Sequence, residues 1–360
     1  MGCCQYKTVS GKIEGAEGVL VTLAGGGVAT NTLADGSYYF AGLEKGAYTI
    51  KPEKEGADFK PSQTNVVLND TNVSNVDFRR IRKDKYLYWV DRGGLSPGIG
   101  SIWRLKVPRD DGDNGEEIAS GLKELLGIAV HGKYIYWVDR EKGGRIVEAK
   151  TDGSDPKDLF INLGNLRDVA IRPNVRPKEV YWIKSAGNNK SEICKALIDS
   201  DDKEDIKCIA TELWAPDSLE IDLSNKRLYW TDGQDGIFWV SLDGAFSGKV
   251  TRCQPLFTTL DTENRRFYYT TGRANPTIEK VNTDGTQTKS LINGPLDGVR
   301  GIVIDTDEGR LYFTRYQSIV NNDGTVKNVG TVNSVDLKGE NMAVEATTPG
   351  IPYDIDISEH

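Results

Sequence analysis

Two histidines occur in the 360 residues, His131 and His360. A serine hydrolase relay needs an imidazole beside its nucleophile. His131 ends an apolar run and His360 is the last residue, so neither is placed to activate a serine. Gly94-Leu95-Ser96-Pro97-Gly98 spells G-x-S-x-G, but that elbow works on a strand-to-helix turn. Here it falls in a glycine-rich loop between two expected strands, with Pro97 behind the serine. The acidic segments 109–117 and 199–205 miss the calcium-loop spacing, since Gly112 or Gly115 stands where the first of them needs a ligand. Both read as solvated hairpin loops. No catalytic residue, metal or cofactor is expected, and what remains is recognition chemistry. Arg92, Arg167, Asp168, Trp214, Asp217, Arg300, Tyr353 and Asp354 supply guanidinium, carboxylate and large aromatic groups, a mixture suited to interface anchors.

Such residues act together only if the fold gathers them, and a repeat indicates how. Tyr88-Trp89-Val90-Asp91, Tyr136-Trp137-Val138-Asp139 and Tyr181-Trp182-Ile183-Lys184 are followed by Tyr229-Trp230-Thr231-Asp232, Tyr268-Tyr269-Thr270-Thr271 and Tyr312-Phe313-Thr314-Arg315. The first tyrosines lie 48, 45, 48, 39 and 44 residues apart, the period of a four-stranded propeller blade. An apolar run precedes every motif but the first, and the missing run appears at the far end as Ile355-Asp356-Ile357. If that run joins the blade of Tyr88, a six-bladed ring closes without an exposed edge. Strand direction then puts the loops at 92–100, 185–190, 272–276 and 316–330 on one face. The lead-ins to the inner strands, which carry Arg167, Asp168, Trp214, Asp217, Arg300, Tyr353 and Asp354, share that face. Glu220 and Asp356 interrupt apolar inner strands three blades apart, so they are expected to face each other across a hydrated central channel.

The motifs resemble the YWTD propeller of the low-density-lipoprotein-receptor type over about residues 84–360. The fullest copy runs Pro216-Asp217-Ser218-Leu219-Glu220-Ile221-Asp222, Lys226-Arg227-Leu228-Tyr229-Trp230-Thr231-Asp232, Ser241-Leu242-Asp243-Gly244. Lys184, Thr271 and Arg315 depart from it where Asp is usual. Residues 5–81 alternate apolar and polar over short runs between glycine turns, as in Val19-Leu20-Val21-Thr22-Leu23 and Ala47-Tyr48-Thr49-Ile50, the pattern of a small β-sandwich. Together with Val9-Ser10-Gly11-Lys12-Ile13, Thr32–Phe40 and Gly42–Tyr48, these runs resemble the carboxypeptidase regulatory-like module, which implies a spacer or accessory binding role. The expected fold class is all-β, with a seven-stranded-type sandwich over 1–81 and the propeller over 82–360.

The net charge of −8 and the pI near 5.1 leave no electrostatic footprint for nucleic acid. No stretch of 18 apolar residues occurs. Gly2-Cys3 resembles the cleavage junction of a bacterial lipoprotein, which would lipidate Cys3. Cys194 and Cys208 sit on two short β-like runs joined by an acidic turn, and read either as buried free thiols or as a disulfide, the latter implying an oxidising compartment. The expected function is an extracytoplasmic, lipid-anchored binding or scaffold protein of the cell envelope or periplasm. It is expected to be a monomer that recognises a protein or glycan through the propeller face. The alternative is a propeller-type hydrolase or lyase with its site at the channel mouth.

Overall fold

The computed structural model describes residues 6–359 apart from 15–17, 26, 34, 55–57, 82–83, 94–97, 110–111, 173–177, 199–204, 273–274, 293–295 and 321–325. Cys3, Ser96 and His360 therefore lie outside the described residues. The chain divides into two compact units, Met1–Lys83 and Asp84–His360. Among the described residues there is no α-helix, only a short 3₁₀ turn at Glu141–Gly143.

Among the described residues the first unit holds eight strands in two four-stranded sheets. Alternation is strict where it matters. In Leu20–Ala24, Val21 and Leu23 are buried while their neighbours are not, and they join Val9, Ile13, Phe40, Ile50 and Leu68 in one core.

Among the described residues the second unit holds six four-stranded antiparallel sheets arranged in a ring, numbered here in ring order. Their innermost strands are Pro352–Glu359, Ile128–His131, Leu166–Arg172, Pro216–Asp222, Pro255–Asp261 and Ile302–Asp305. Each packs against the next, and the sixth packs against the first. The motif strands come second in every sheet. Their tyrosines, Tyr88, Tyr136, Tyr181, Tyr229, Tyr268 and Tyr312, are at most 5% exposed, because sheets cover both faces of a middle strand. Each such ring buries enough apolar area for about 2–3 kcal/mol. The first sheet joins the two ends of the unit. Pro352–Glu359 pairs antiparallel with Lys85–Asp91, setting Ile355 opposite Trp89 and Ile357 opposite Leu87.

The Asp that ends a motif fastens two turns at once. Asp91 accepts from the Gly93 amide at 2.8 Å and the Gly350 amide at 3.0 Å. Asp232 accepts from the Gln234 and Ala215 amides. Where Asp is replaced, another contact takes its place. Lys184 pairs with Glu192 at 3.4 Å, the Thr271 hydroxyl accepts from the Thr277 amide at 3.0 Å, and Arg315 donates to the Asp297 carbonyl at 3.1 Å.

An inner strand has only one strand neighbour, so its axial edge leaves amides to be satisfied. Side chains of the preceding sheet do this. Asp354 of the first sheet accepts from Ile128 of the second at 2.9 Å, and Asp356 from Val130 at 2.7 Å. Asp168 of the third accepts from Leu219 of the fourth at 2.7 Å. Ser218 of the fourth accepts from Thr258 of the fifth at 3.4 Å. Thr259 of the fifth accepts from Ile304 of the sixth at 3.2 Å. At the two remaining boundaries a glycine allows close approach, and at the sixth–first boundary the Gly301 amide also donates to the Tyr353 carbonyl at 2.8 Å. A Cβ on Gly127 would lie 2.5 Å from Asp168 Oδ1, and one on Gly301 2.8 Å from the Asp354 Cα.

Two expected loops are strand. Of the segment 316–330, the described residues belong to Arg310–Val320 and Val326–Asp336, which pair out to Val320 opposite Val326. The segment 185–190 is mostly taken up by Glu179–Gly187 and Lys190–Leu197. Cys194 and Cys208 stand opposite each other in neighbouring strands and are joined by a disulfide.

Candidate functional site

The ring leaves an axial cavity of about 220 Å³, lined by inner-strand residues that include Asp168, Glu220, Asp354 and Asp356. Burial pushes Asp356 up to about 6. Burial pushes Asp354 up to about 7, with the Asp356 charge adding to it. Glu220 is driven well above the usual carboxylate range by burial and then by Asp356 and Asp354. Asp168 is raised by burial and by Asp354. Both oxygens of Asp168, Asp354 and Asp356 accept backbone amides, so these three groups are spent on the ring. Among the described residues no three channel acids come close enough to share one ion. The one group of His, Cys, Asp and Glu that does is Glu192 with Cys194 and Cys208, whose thiols are tied up in the disulfide.

The mouth of this cavity is organised around Tyr353, carried in by the closing strand. Its ring meets Phe257 edge-on at 5.3 Å between centroids. The Arg92 guanidinium lies 4.9 Å from its centroid, a cation–π distance. Burial and the Asp217 carboxylate raise its phenol, while Arg92, Arg167 and Arg300 oppose them. All three guanidinia are therefore close enough to act on one ring. Arg167 is bound to Asp217 at 2.6 Å. Burial raises Asp217, against the pull of Arg167 and Arg300. Arg300 donates to the Val299 carbonyl at 3.0 Å and to the Tyr316 hydroxyl at 3.4 Å, and lies over the Tyr316 ring. Neither Arg92 nor Arg300 forms a salt bridge among the described residues. The mouth thus carries three positive groups and one negative one above an acidic channel.

Of the residues singled out in the sequence, Arg92, Arg167, Asp217, Arg300 and Tyr353 come together here. Asp168 and Asp354 lie one layer below, in the cavity wall. Trp214 is 70% exposed, and its ring contact is with Lys190, whose ammonium stands 3.5 Å from the centroid. It belongs to a separate aromatic–cationic patch at the start of the fourth sheet. Phe257 and Tyr316 complete the mouth without having stood out in the sequence. Tyr316 directly follows the sixth motif, which is a usable signal, whereas Phe257 meets Tyr353 only because two non-adjacent sheets converge on the axis. His131 ends its strand half-buried, and burial and Lys178 lower its imidazole.

No family model matches the chain. The low-density lipoprotein receptor-related protein 1 of Pyricularia oryzae is 28% identical over 170 residues, covering 41% of this chain and 54% of that protein. Protein cueball of Drosophila simulans is 32% identical over 103 residues, covering 26% of this chain and 16% of that protein. The vitellogenin receptor Yl of Drosophila melanogaster is 24% identical over 205 residues, covering 55% of this chain and 10% of that protein. The chain thus spans about half of the first of these relatives and a small part of the others. Among solved structures, the nidogen/laminin complex contains a chain matched at TM-score 0.60 and 19% identity, with 76% of this chain and 98% of that chain covered. TolB from Acinetobacter baumannii is matched at TM-score 0.57 and 13% identity, with 88% and 80% covered. These likenesses support a β-propeller of the YWTD type. The likeness to TolB, at its low identity, speaks for the fold alone.

Proposed function

We propose that this chain is an extracytoplasmic binding protein that docks a protein partner on the propeller face around Tyr353. The observation that carries this reading is the grouping of Arg92, Arg167 and Arg300 near Tyr353, with Arg92 over its ring and with Arg92 and Arg300 lacking an ion-pair partner among the described residues. Arginine and tyrosine are residue types that anchor protein interfaces. Among the relatives, several are called receptors, and the nidogen match comes from a complex of two proteins.

The finer parts of the reading follow from the sequence patterns. The ring is a six-bladed YWTD-like propeller closed by its C-terminal strand. Residues 1–81 form a carboxypeptidase regulatory-like sandwich that serves as a spacer. Cys3 is the lipid-bearing residue of an envelope lipoprotein. Among the described residues no group in the mouth is set beside a general base as a nucleophile would be, which favours binding over hydrolase or lyase chemistry.

A displayed library of random peptides selected on the full chain tests the docking face. The wild type is expected to enrich ligands whose binding falls at least about tenfold in the Arg92→Ala/Arg300→Ala variant, with tryptophan fluorescence unchanged. Ligands that bind the double variant equally well would place recognition elsewhere.

A further inference from the structure

We propose that the cleft between the fourth and fifth sheets is a carbohydrate site, built to take a neutral, hydroxyl-rich sugar residue. It is a hollow of about 690 Å³ that opens on the same face as the mouth. Three turns bound it: the turn after Arg227–Asp232, the turn before Pro255–Asp261 and the turn after Arg266–Thr271. Each turn offers one carboxamide, from Gln234, Gln254 and Asn275 respectively. All three side chains are exposed and none forms a hydrogen bond among the described residues.

The floor is different in kind. Tyr269 is fully buried and donates its hydroxyl to Glu279 Oε2 at 2.5 Å. That bond aims the carboxylate and leaves acceptor capacity on it toward the hollow. Among the described residues no cation pairs with Glu279. Cys253 lies beside it, and burial pushes its thiol up to about 12. The floor therefore carries one charge, no nucleophile and no free ammonium.

Charge and shape then select the ligand. At the rim Asp235 is held by Lys249 at 2.6 Å and by Arg252 at 3.5 Å. Among the described residues two acids and two bases balance at the hollow, so a strongly charged ligand gains little there. A carboxylate, three carboxamides and a guanidinium with unspent donors instead present paired donors and acceptors at planar groups. Vicinal hydroxyls of a sugar ring match that set, since each hydroxyl both donates and accepts. An apolar ligand would leave these groups unpaired, at a cost for every one buried. The site is independent of the protein-docking mouth, and neither reading needs the other.

The test is titration of the full chain with a panel of methyl glycosides of glucose, galactose, mannose, N-acetylglucosamine and glucuronic acid, followed by ligand-observed NMR. Saturable binding of at least one neutral glycoside is expected. Binding should weaken about tenfold or more in Glu279→Gln, as for the loss of one charge-assisted hydrogen bond. The Gln254→Ala/Asn275→Ala variant, changed only at exposed positions, should weaken it similarly, and Arg92→Ala/Arg300→Ala should leave it unchanged. Tighter binding of a tetrasaccharide than of its methyl glycoside marks a polymer as the source, and equal binding marks a free sugar. The proposal is overturned if none of the neutral glycosides binds saturably, or if binding survives the Gln254→Ala/Asn275→Ala change. Preference for the glucuronide would overturn the neutral-ligand assignment.

Discussion

Replacing Asp356 by Asn tests the energetics of the channel. In the native ring Asp356 accepts the amides of Val130 at 2.7 Å and Ile357 at 2.8 Å, and burial pushes its carboxyl up to about 6. An unfolded chain would release that proton near the ordinary aspartate value of about 4. The folded state therefore binds more protons than the unfolded state between about pH 4 and pH 6, and stability falls as pH rises through that window. A shift of about two units corresponds to about 3 kcal/mol, fully lost by about pH 7 to 8. Asparagine cannot titrate. It keeps one acceptor oxygen and sets an amide against the other N–H, a fixed cost of about 1–3 kcal/mol. Removing the charge also relieves Glu220, which Asp356 helps to raise. The stability difference should thus move by about 3 kcal/mol in favour of Asp356→Asn between pH 4 and pH 8. His131 acts with the opposite sign, because its lowered imidazole favours the folded state as pH rises, and it cancels in the difference. Urea unfolding followed by tryptophan fluorescence reads the right unit, since Trp89, Trp137, Trp182 and Trp230 are buried in the ring and no tryptophan precedes residue 84. A difference that stays constant with pH, or moves the other way, would refute the account of a proton-holding channel.

Two further outcomes follow from the same geometry. Deleting residues 351–360 removes the strand paired with Lys85–Asp91, the buried Ile351 and Ile355, and both side-chain bridges to the second sheet. The loss should be on the order of 5–10 kcal/mol, comparable to the whole stability of a domain, and unaltered cooperative urea unfolding of the truncated chain would contradict it. Reducing the disulfide between Cys194 and Cys208, or changing both to Ser, should lower stability by about 3 kcal/mol, the loop-closure value for a short loop. With the cysteines 14 positions apart, equal midpoints with and without a thiol reductant would show that the bond carries no such load.

The aromatic repeat was legible because spacing survives sequence drift. A blade must bring a large buried ring to the same place each time, and the spacing of 39–48 residues with β-type motifs is that of such a blade. The sharing of one face by Arg92, Arg167, Asp217, Arg300 and Tyr353 follows from strand direction alone. What strand direction does not give is stagger between sheets. Whether Asp168 reaches ligand or the Leu219 amide depends on a few ångströms of offset, and no local pattern encodes that. Trp214 shows the same gap, since a residue three positions from Asp217 meets Lys190 rather than the axial group. The extended hairpin over 310–336 did carry a signal. Asn322-Asp323-Gly324 between runs with apolar Ile319, Val320, Val326 and Val329 is a turn pattern, which length alone makes look like a loop. The state of Cys194 and Cys208 is a matter of redox chemistry, and two facing positions are all that the residues themselves specify.

The side-chain amide bridges along the channel all run one way around the ring, from an acceptor in one sheet to a donor in the next. They latch the first sheet to the second and the third through the sixth in series. The sixth meets the first by other means, since the Gly301 amide donates to the Tyr353 carbonyl at 2.8 Å and Lys85 pairs with Asp305 and Asp307. The second meets the third across Gly127, with no such amide bridge among the described residues. The propeller is thus less a uniform wheel than a bolted arc with one smooth seam. Blades in such a ring are not interchangeable parts. A duplicated or transplanted blade would need the matching half of its neighbour's latch, and the seam at Gly127 is where a circle of this kind can be cut, lengthened or levered open while every amide latch stays in place.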